Sequence, residues 1–230
     1  MRLTLGNGCV AALASLVWLG GSAAGALTLD DLANGGQSFV SGNGALTFSG
    51  FDVTASSGLD PDLRKYAVKV IDDGFELRGP INAADGEQDD LFIAYSVATS
   101  SEIGSASVFF NGQAMPAKAG VAASVTDDYF QGETHLGSIF VARTGGGIDQ
   151  PSGALTLGSP VNSLRVEKDI LVDSRAADAG EAPAPAGSIA SISLVRQQFA
   201  VGGATVPEPT ATLLLGCGLA GLAVVGRSRR

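Results

Sequence analysis

The interior of this sequence has no cysteine: Cys9 and Cys217 are the only two in 230 residues, and both fall in apolar stretches near the ends. Disulfides and thiolate-bound zinc are thereby excluded from everything between them. Histidine is nearly absent as well. His135 stands alone, so no metal centre can be built on several imidazoles. A Ser-His-Asp arrangement would have to use this one residue, with no Gly-x-Ser-x-Gly elbow to present its serine. Tryptophan is missing from the middle, since the single copy is Trp18. Sugar-binding surfaces commonly stack rings on exposed aromatics, whereas the middle holds only Tyr66, Tyr95, Tyr129 and phenylalanines, most of them at alternating positions that suit a core. Positive charge is scarce too. Residues 27–205 carry 22 Asp plus Glu against 10 Lys plus Arg, which argues against nucleic acid as a partner, because such binding needs basic surface to displace counterions from phosphate.

What is present is organised at the two ends. Arg2 precedes an apolar run, Cys9 to Gly20, and then the small residues Gly21 to Ala26. This is the layout of a secretory signal peptide, residues 1–26, with an apolar core of about a dozen residues, short of the roughly 20 that a spanning helix needs. Small residues at −3 and −1 fit signal-peptidase cleavage after Ala24 or after Ala26. At the other end, residues 210–226 carry no charge and are closed by Arg227, Arg229 and Arg230. At a rise of about 1.5 Å per residue this stretch reaches about 25 Å, just enough to cross a bilayer core. The arginines act as a membrane stop and favour a cytoplasmic tail, residues 227–230. Export of the body and a cytoplasmic C-terminus are mutually consistent.

Immediately before that helix stands Val206-Pro207-Glu208-Pro209. This motif, followed by a short Leu/Gly/Ala-rich helix and a terminal Arg cluster, resembles the PEP-CTERM sorting signal. The resemblance covers about 25 residues and implies that an exosortase-type processing enzyme recognises Pro207, Glu208 and Pro209. It further implies cleavage nearby, and passage from an inner-membrane anchor to the cell surface or the exopolysaccharide matrix. The local physics agrees, because two prolines without amide donors hold the segment extended and outside the helix. Within the body, Leu46 to Ser49, Asp72 to Leu77 and Val166 to Ile170 resemble a recurrent ectodomain type found with this C-terminus, which implies no particular activity.

Residues 27–201 form a body of a size that buries a full core as one domain, followed by a tether, residues 202–209. Period-two apolar alternation marks strands over 45–54, 66–71, 91–98, 104–111, 120–126, 135–142, 163–172 and 188–199. Turn signals stand between them at Asp72-Asp73-Gly74, Asp85-Gly86, Asn111-Gly112 and Gly145-Gly146-Gly147. Asn111-Gly112 is the strongest hairpin signal, because both residue types tolerate positive φ. Leu29 to Ala33 suits either a turn of helix or an edge strand, and residues 176–187 read as an Ala/Pro/Gly-rich loop. The fold expected is all-β, an antiparallel, jelly-roll-like β-sandwich between an N-terminal signal peptide and a C-terminal transmembrane helix.

Chemistry is sparse along this body, and no enzymatic activity is expected of it. Gly216 to Gly221 matches G-x-G-x-x-G, but it lies in the apolar C-terminal helix without the strand that a dinucleotide site requires. Acidic clusters occur at Asp72-Asp73, at Asp127-Asp128 and at Asp85, Glu87, Asp89 and Asp90. The last set is a weak Ca²⁺ candidate, since its spacing does not match the EF-hand loop; the alternative is a solvated turn. No other cofactor is expected. These observations point to an exported, non-enzymatic surface or matrix protein, with a carbohydrate-binding or carbohydrate-active β-sandwich as the alternative.

Overall fold

In a computed structural model, which describes residues 26–56, 58–115, 120–175 and 187–202, ten strands join into one antiparallel sheet. They are β1 (Phe39–Val40), β2 (Thr47–Ala55), β3 (Ala67–Ile71), β4 (Gly74–Ala84), β5 (Gln88–Met115), β6 (Ala122–Gln131), β7 (Thr134–Thr144), β8 (Asp149–Gln150), β9 (Ser152–Asp173) and β10 (Ile189–Val201). A one-turn helix α1 (Leu29–Ala33) precedes them. Its reciprocal cap, in which Asp31 N donates to Thr28 Oγ1 and Thr28 N donates to Asp31 Oδ2, decides the region left open between helix and edge strand. Leu29 and Leu32 turn inward and close one end of the core.

The sheet runs β3-β4-β10-β5-β9-β6-β7-β8, with β1 and β2 attached along the first half of β5. Two long strands make this one sheet serve as both layers of a sandwich. Leu91 to Ala98 of β5 pair with β2 and with the far half of β9, whereas Ile103 to Met115 pair with β10. The register between β5 and β9 slips between Ala98 and Ile103 and again before Ser105. Burial alternates cleanly on both sides of this point, but Ser100, Ser101 and Glu102 are all exposed, so the chain bends there with its polar groups in water. Aromatic rings join the facing layers. Phe48 of β2 meets Phe75 of β4 at 5.5 Å and Phe199 of β10 at 6.0 Å between centroids, and Tyr95 of β5 meets Phe75 at 5.5 Å.

The antiparallel β-sandwich read from the alternation is therefore what forms, although its strands differ from those expected. The two strands expected around 91–98 and 104–111 are one continuous β5. Asn111-Gly112 is no hairpin turn: it lies inside β5 opposite an irregularity of β10, where Ile192 pairs with Gly112 and Leu194 with Asn111. Glycine is needed there because a Cβ would stand 2.5 Å from the carbonyl oxygen of Ser191. β4 has no counterpart among the expected strands, since Gly79-Pro80 interrupts the alternation of Phe75 and Leu77 with Ile81 and Ala83, all four of which are buried. Asp85-Gly86 forms a turn with both residues at positive φ, as its composition implies.

Replacing Phe48, which is fully buried among the rings of Phe39, Phe75, Tyr95 and Phe199, by Ala should cost about 3–5 kcal/mol. Urea unfolding followed by tyrosine fluorescence measures it, and a loss below about 1 kcal/mol would contradict this packing.

Candidate functional site

Inward positions along a sandwich strand are ordinarily apolar. Three strands break that rule at one place. Lys168 of β9, Asp127 of β6 and Gln197 of β10 all point into the core, and each is 0% exposed. Asp127 and Lys168 are direct register partners on neighbouring strands. Lys168 Nζ donates to Asp127 Oδ1 at 2.5 Å and to Gln197 Oε1 at 3.0 Å. Tyr129 Oη donates to Asp127 Oδ2 at 2.9 Å and accepts from Gln197 Nε2 at 3.1 Å, which closes a ring of four side chains. Gln197 Nε2 also reaches the carbonyl of Ser107 at 3.3 Å. Burial pushes the Asp127 carboxyl up, against the opposing pull of Lys168, and pushes the Lys168 ammonium down, against the opposing pull of Asp127. Both shifts favour the uncharged forms.

The acidic pair Asp127-Asp128 is thus split by the strand pleat. Asp128 faces outward, where His135 Nε2 lies 3.1 Å from its Oδ1 and 3.1 Å from Ser138 Oγ. A hydrolytic triad uses the two imidazole nitrogens separately, one for the serine and one for the carboxylate. Here serine and aspartate share the same nitrogen, and Ser138 Oγ itself donates to Asp128. His135 is half exposed beside Phe130, whose ring also carries the Arg165 guanidinium at 4.7 Å.

A second cluster occupies the outer face. One residue from each of five adjacent strands forms a row, Lys69, Glu76, Arg196, Phe109 and Ser152, fixed by register. Arg196 donates to Glu76 Oε1 through Nη2 at 2.6 Å and Nε at 3.0 Å. Arg78 holds Oε2 at 2.5 and 3.0 Å, and Lys69 stands 4.0 Å away. These cationic side chains cover the carboxylate, leaving it 2% exposed. Burial alone would raise the Glu76 carboxyl, but the hydrogen bonds from Arg196 and Arg78 outweigh it and hold the group below its ordinary value. Three cations around one anion leave a basic spot on an acidic body. Beside it lies Phe109, 38% exposed, with Arg196 at 6.0 Å from its ring centre, and a shallow groove continues along Ser107, Gly153 and Gln198.

The acidic residues weighed for Ca²⁺ do not share a cradle. Asp85 Oδ1 accepts from Gly187 N at 2.7 Å, and Asp89 is buried, accepting from Ser56 Oγ at 3.0 Å. Asp90 and Glu87 engage through their backbones, Asp90 N donating to Ser56 Oγ and Glu87 O accepting from Ser174 Oγ. Among the described residues no three His, Cys, Asp or Glu side chains converge on a point. Ala26 is exposed at the start of the described chain, whereas Ala24, Pro207, Glu208, Pro209, Arg227, Arg229 and Arg230 lie outside the described residues.

Neither interior ring nor outer row was legible as a site in the sequence, yet each left a trace. Lys168 sits in phase with Val166, Ile170 and Val172, Asp127 with Val125 and Tyr129, and Gln197 with Val195 and Phe199. A polar residue in the apolar phase of a strand was the available signal.

No protein-family model matches this chain, and no curated protein matches it. Among solved structures, TmCBM61 in complex with beta-1,4-galactotriose is similar at a TM-score of 0.35 and 10% identity, over 65% of this chain and 88% of the other. The enzymatically active domain of bacteriophage CBA120 tailspike protein 4 is similar at 0.27 and 16% identity, over 67% of this chain and 19% of the other. Likenesses at these scores carry no functional inference.

Because the folded-state pKa of Glu76 is depressed, its contribution is fully present above the unfolded value, near 4.5, and disappears as pH falls through the folded value. Glu76→Gln should therefore melt below the wild type at neutral pH, and the gap should close in acid. Parallel melting curves across pH 7 to about 3 read this directly, and a gap independent of pH would contradict it.

Proposed function

We propose that this chain is an exported, non-enzymatic protein of the cell surface or extracellular matrix. It is released from the inner membrane by processing at Pro207-Glu208-Pro209, and its β-sandwich then contacts exopolysaccharide. The routing rests on the order of features in the sequence: an N-terminal export signal, a proline-flanked glutamate, an apolar stretch that only just spans, and a terminal arginine cluster. A barely spanning helix suits a temporary hold for a processing enzyme. Signal peptidase and an exosortase-type enzyme are the partners this route requires.

The contact with polysaccharide is supported by one observation, the outer row of Lys69, Glu76, Arg196 and Phe109. An exposed ring offers a flat apolar surface to a sugar face, and the excess cations beside it complement the carboxylates of an acidic polymer. The groove alongside supplies hydroxyl and amide groups from Ser107 and Gln198. On this proposal, carbohydrate binding is the means by which the sorted protein meets the matrix.

Substituting Pro207, Glu208 and Pro209 together by Ala should trap the protein in the inner-membrane fraction with its C-terminal helix retained, as read by fractionation and intact mass. Unchanged processing and destination would refute the routing. Affinity electrophoresis in gels containing acidic or neutral polysaccharides tests the contact. Phe109→Ala combined with Arg196→Ala should weaken retardation about tenfold. Identical mobility of variant and wild type would remove this face from the function.

A further inference from the structure

The interior ring poses a question that sorting and surface contact leave unanswered. A buried ion pair is a poor source of stability, because apolar residues of similar volume commonly serve as well or better. Yet this core keeps a lysine and an aspartate in register at its centre, with two further polar side chains devoted to holding them. We propose that Lys168 and Asp127 condense to an intramolecular amide, a covalent rung joining β9 to β6 inside the sandwich.

The geometry supplies what such a reaction needs. Nζ lies 2.5 Å from Oδ1, and one C–O bond of about 1.23 Å further on, Cγ cannot stand more than about 3.7 Å from the amine. Attack distances run about 3–3.5 Å, and reactants held this way within one molecule reach effective molarities of about 10⁵–10⁸ M. Both side chains are fully buried, so bulk water has no access to compete as nucleophile or to reverse the reaction. Burial also drives both groups toward the forms that react, a neutral amine and a neutral carboxylic acid.

The step balances without any further reagent. The Nζ lone pair adds to Cγ and forms the C–N bond. One N–H proton passes to the departing carboxyl hydroxyl, the C–O bond breaks, and one water leaves; nothing is oxidised or reduced. Tyr129 Oη, donating to Oδ2, polarises the carboxyl toward attack, and Gln197 Oε1, accepting from Nζ, fixes the amine. The Tyr95 hydroxyl is buried with no hydrogen-bond partner among the described residues, and burial followed by the nearby Asp127 charge raises its pKa well above that of an ordinary phenol. It remains a protonated hydroxyl buried in the same core.

The amide would be permanent where the ion pair is not, and it would fasten the two strands against shear and proteolysis whatever the outer face binds. It is independent of the routing and of the polysaccharide contact.

Tryptic digestion of the purified full chain, followed by tandem mass spectrometry, tests it. The expected result is a branched species joining residues 119–143 to residues 166–175, lighter than the two peptides by one water and uncut after Lys168. On denaturing gels the wild type should run ahead of Lys168→Arg, whose guanidinium keeps the charge but cannot form this bond. Asp127→Ala should lack the branched species as well. Asp127→Asn should yield a branched species of the same mass as the wild type, because ammonia leaves in place of water. Unbranched 119–143 together with normal cleavage after Lys168, in wild-type protein shown by circular dichroism to be folded, overturns the proposal even if the variants fail to fold. A branched species persisting in Lys168→Arg would overturn it equally.

Discussion

The pairing of β5 with β9 is the constraint on which the remaining structure rests. Each strand is long enough to belong to both layers, and their shared bend turns one continuous sheet into two faces that cover each other's apolar side. Every other strand adds to one edge or the other of this pair. The bend has a local cause: a polar run at Ser100 to Glu102 with all three residues exposed, flanked by clean alternation on either side. A straight β5 would leave Phe75, Phe199 and Tyr95 without their facing partners, and the aromatic core would open to water.

The interior ring sits in the core this bend encloses. Its members come from β6, β9 and β10, so no hairpin or local segment can assemble it; only closure of the layers brings Gln197 to Lys168. Closure also removes the water that would otherwise solvate both charges. The same event therefore creates the contact and shifts Lys168 and Asp127 toward neutrality. Tyr129 and Gln197 satisfy the polar atoms that would otherwise make this region costly.

The outer face follows the opposite logic. Glu76 is covered without leaving the surface, because Arg78, Arg196 and Lys69 fold over it from three strands. The cluster concentrates positive charge on a body that is acidic elsewhere, and it sets that charge against an exposed ring. An acidic surface keeps sheet edges soluble and unpaired, while one basic, aromatic spot distinguishes this face from the rest.

By itself the sequence determined the all-β class, the antiparallel alternation, most strand positions and the turn at Asp85-Gly86, because period-two patterning and turn residues are local properties read within a few positions. The sequence misplaced a hairpin at Asn111-Gly112, because the Asn-Gly pair reports tolerance of tight backbone approach, and a close passage of Ser191 uses that tolerance as readily as a turn does. It passed over β4, where Phe75, Leu77, Ile81 and Ala83 alternate with polar residues but Gly79-Pro80 interrupts the pattern with residues that read as a turn. The pleat that parts Asp127 from Asp128 and the phase that turns Lys168 inward are local; tertiary structure alone decided that residues 41 and 29 positions from Lys168 would meet it. Register between distant strands is a global property, set by which packing of the two layers excludes most water, and no short window of residues contains it.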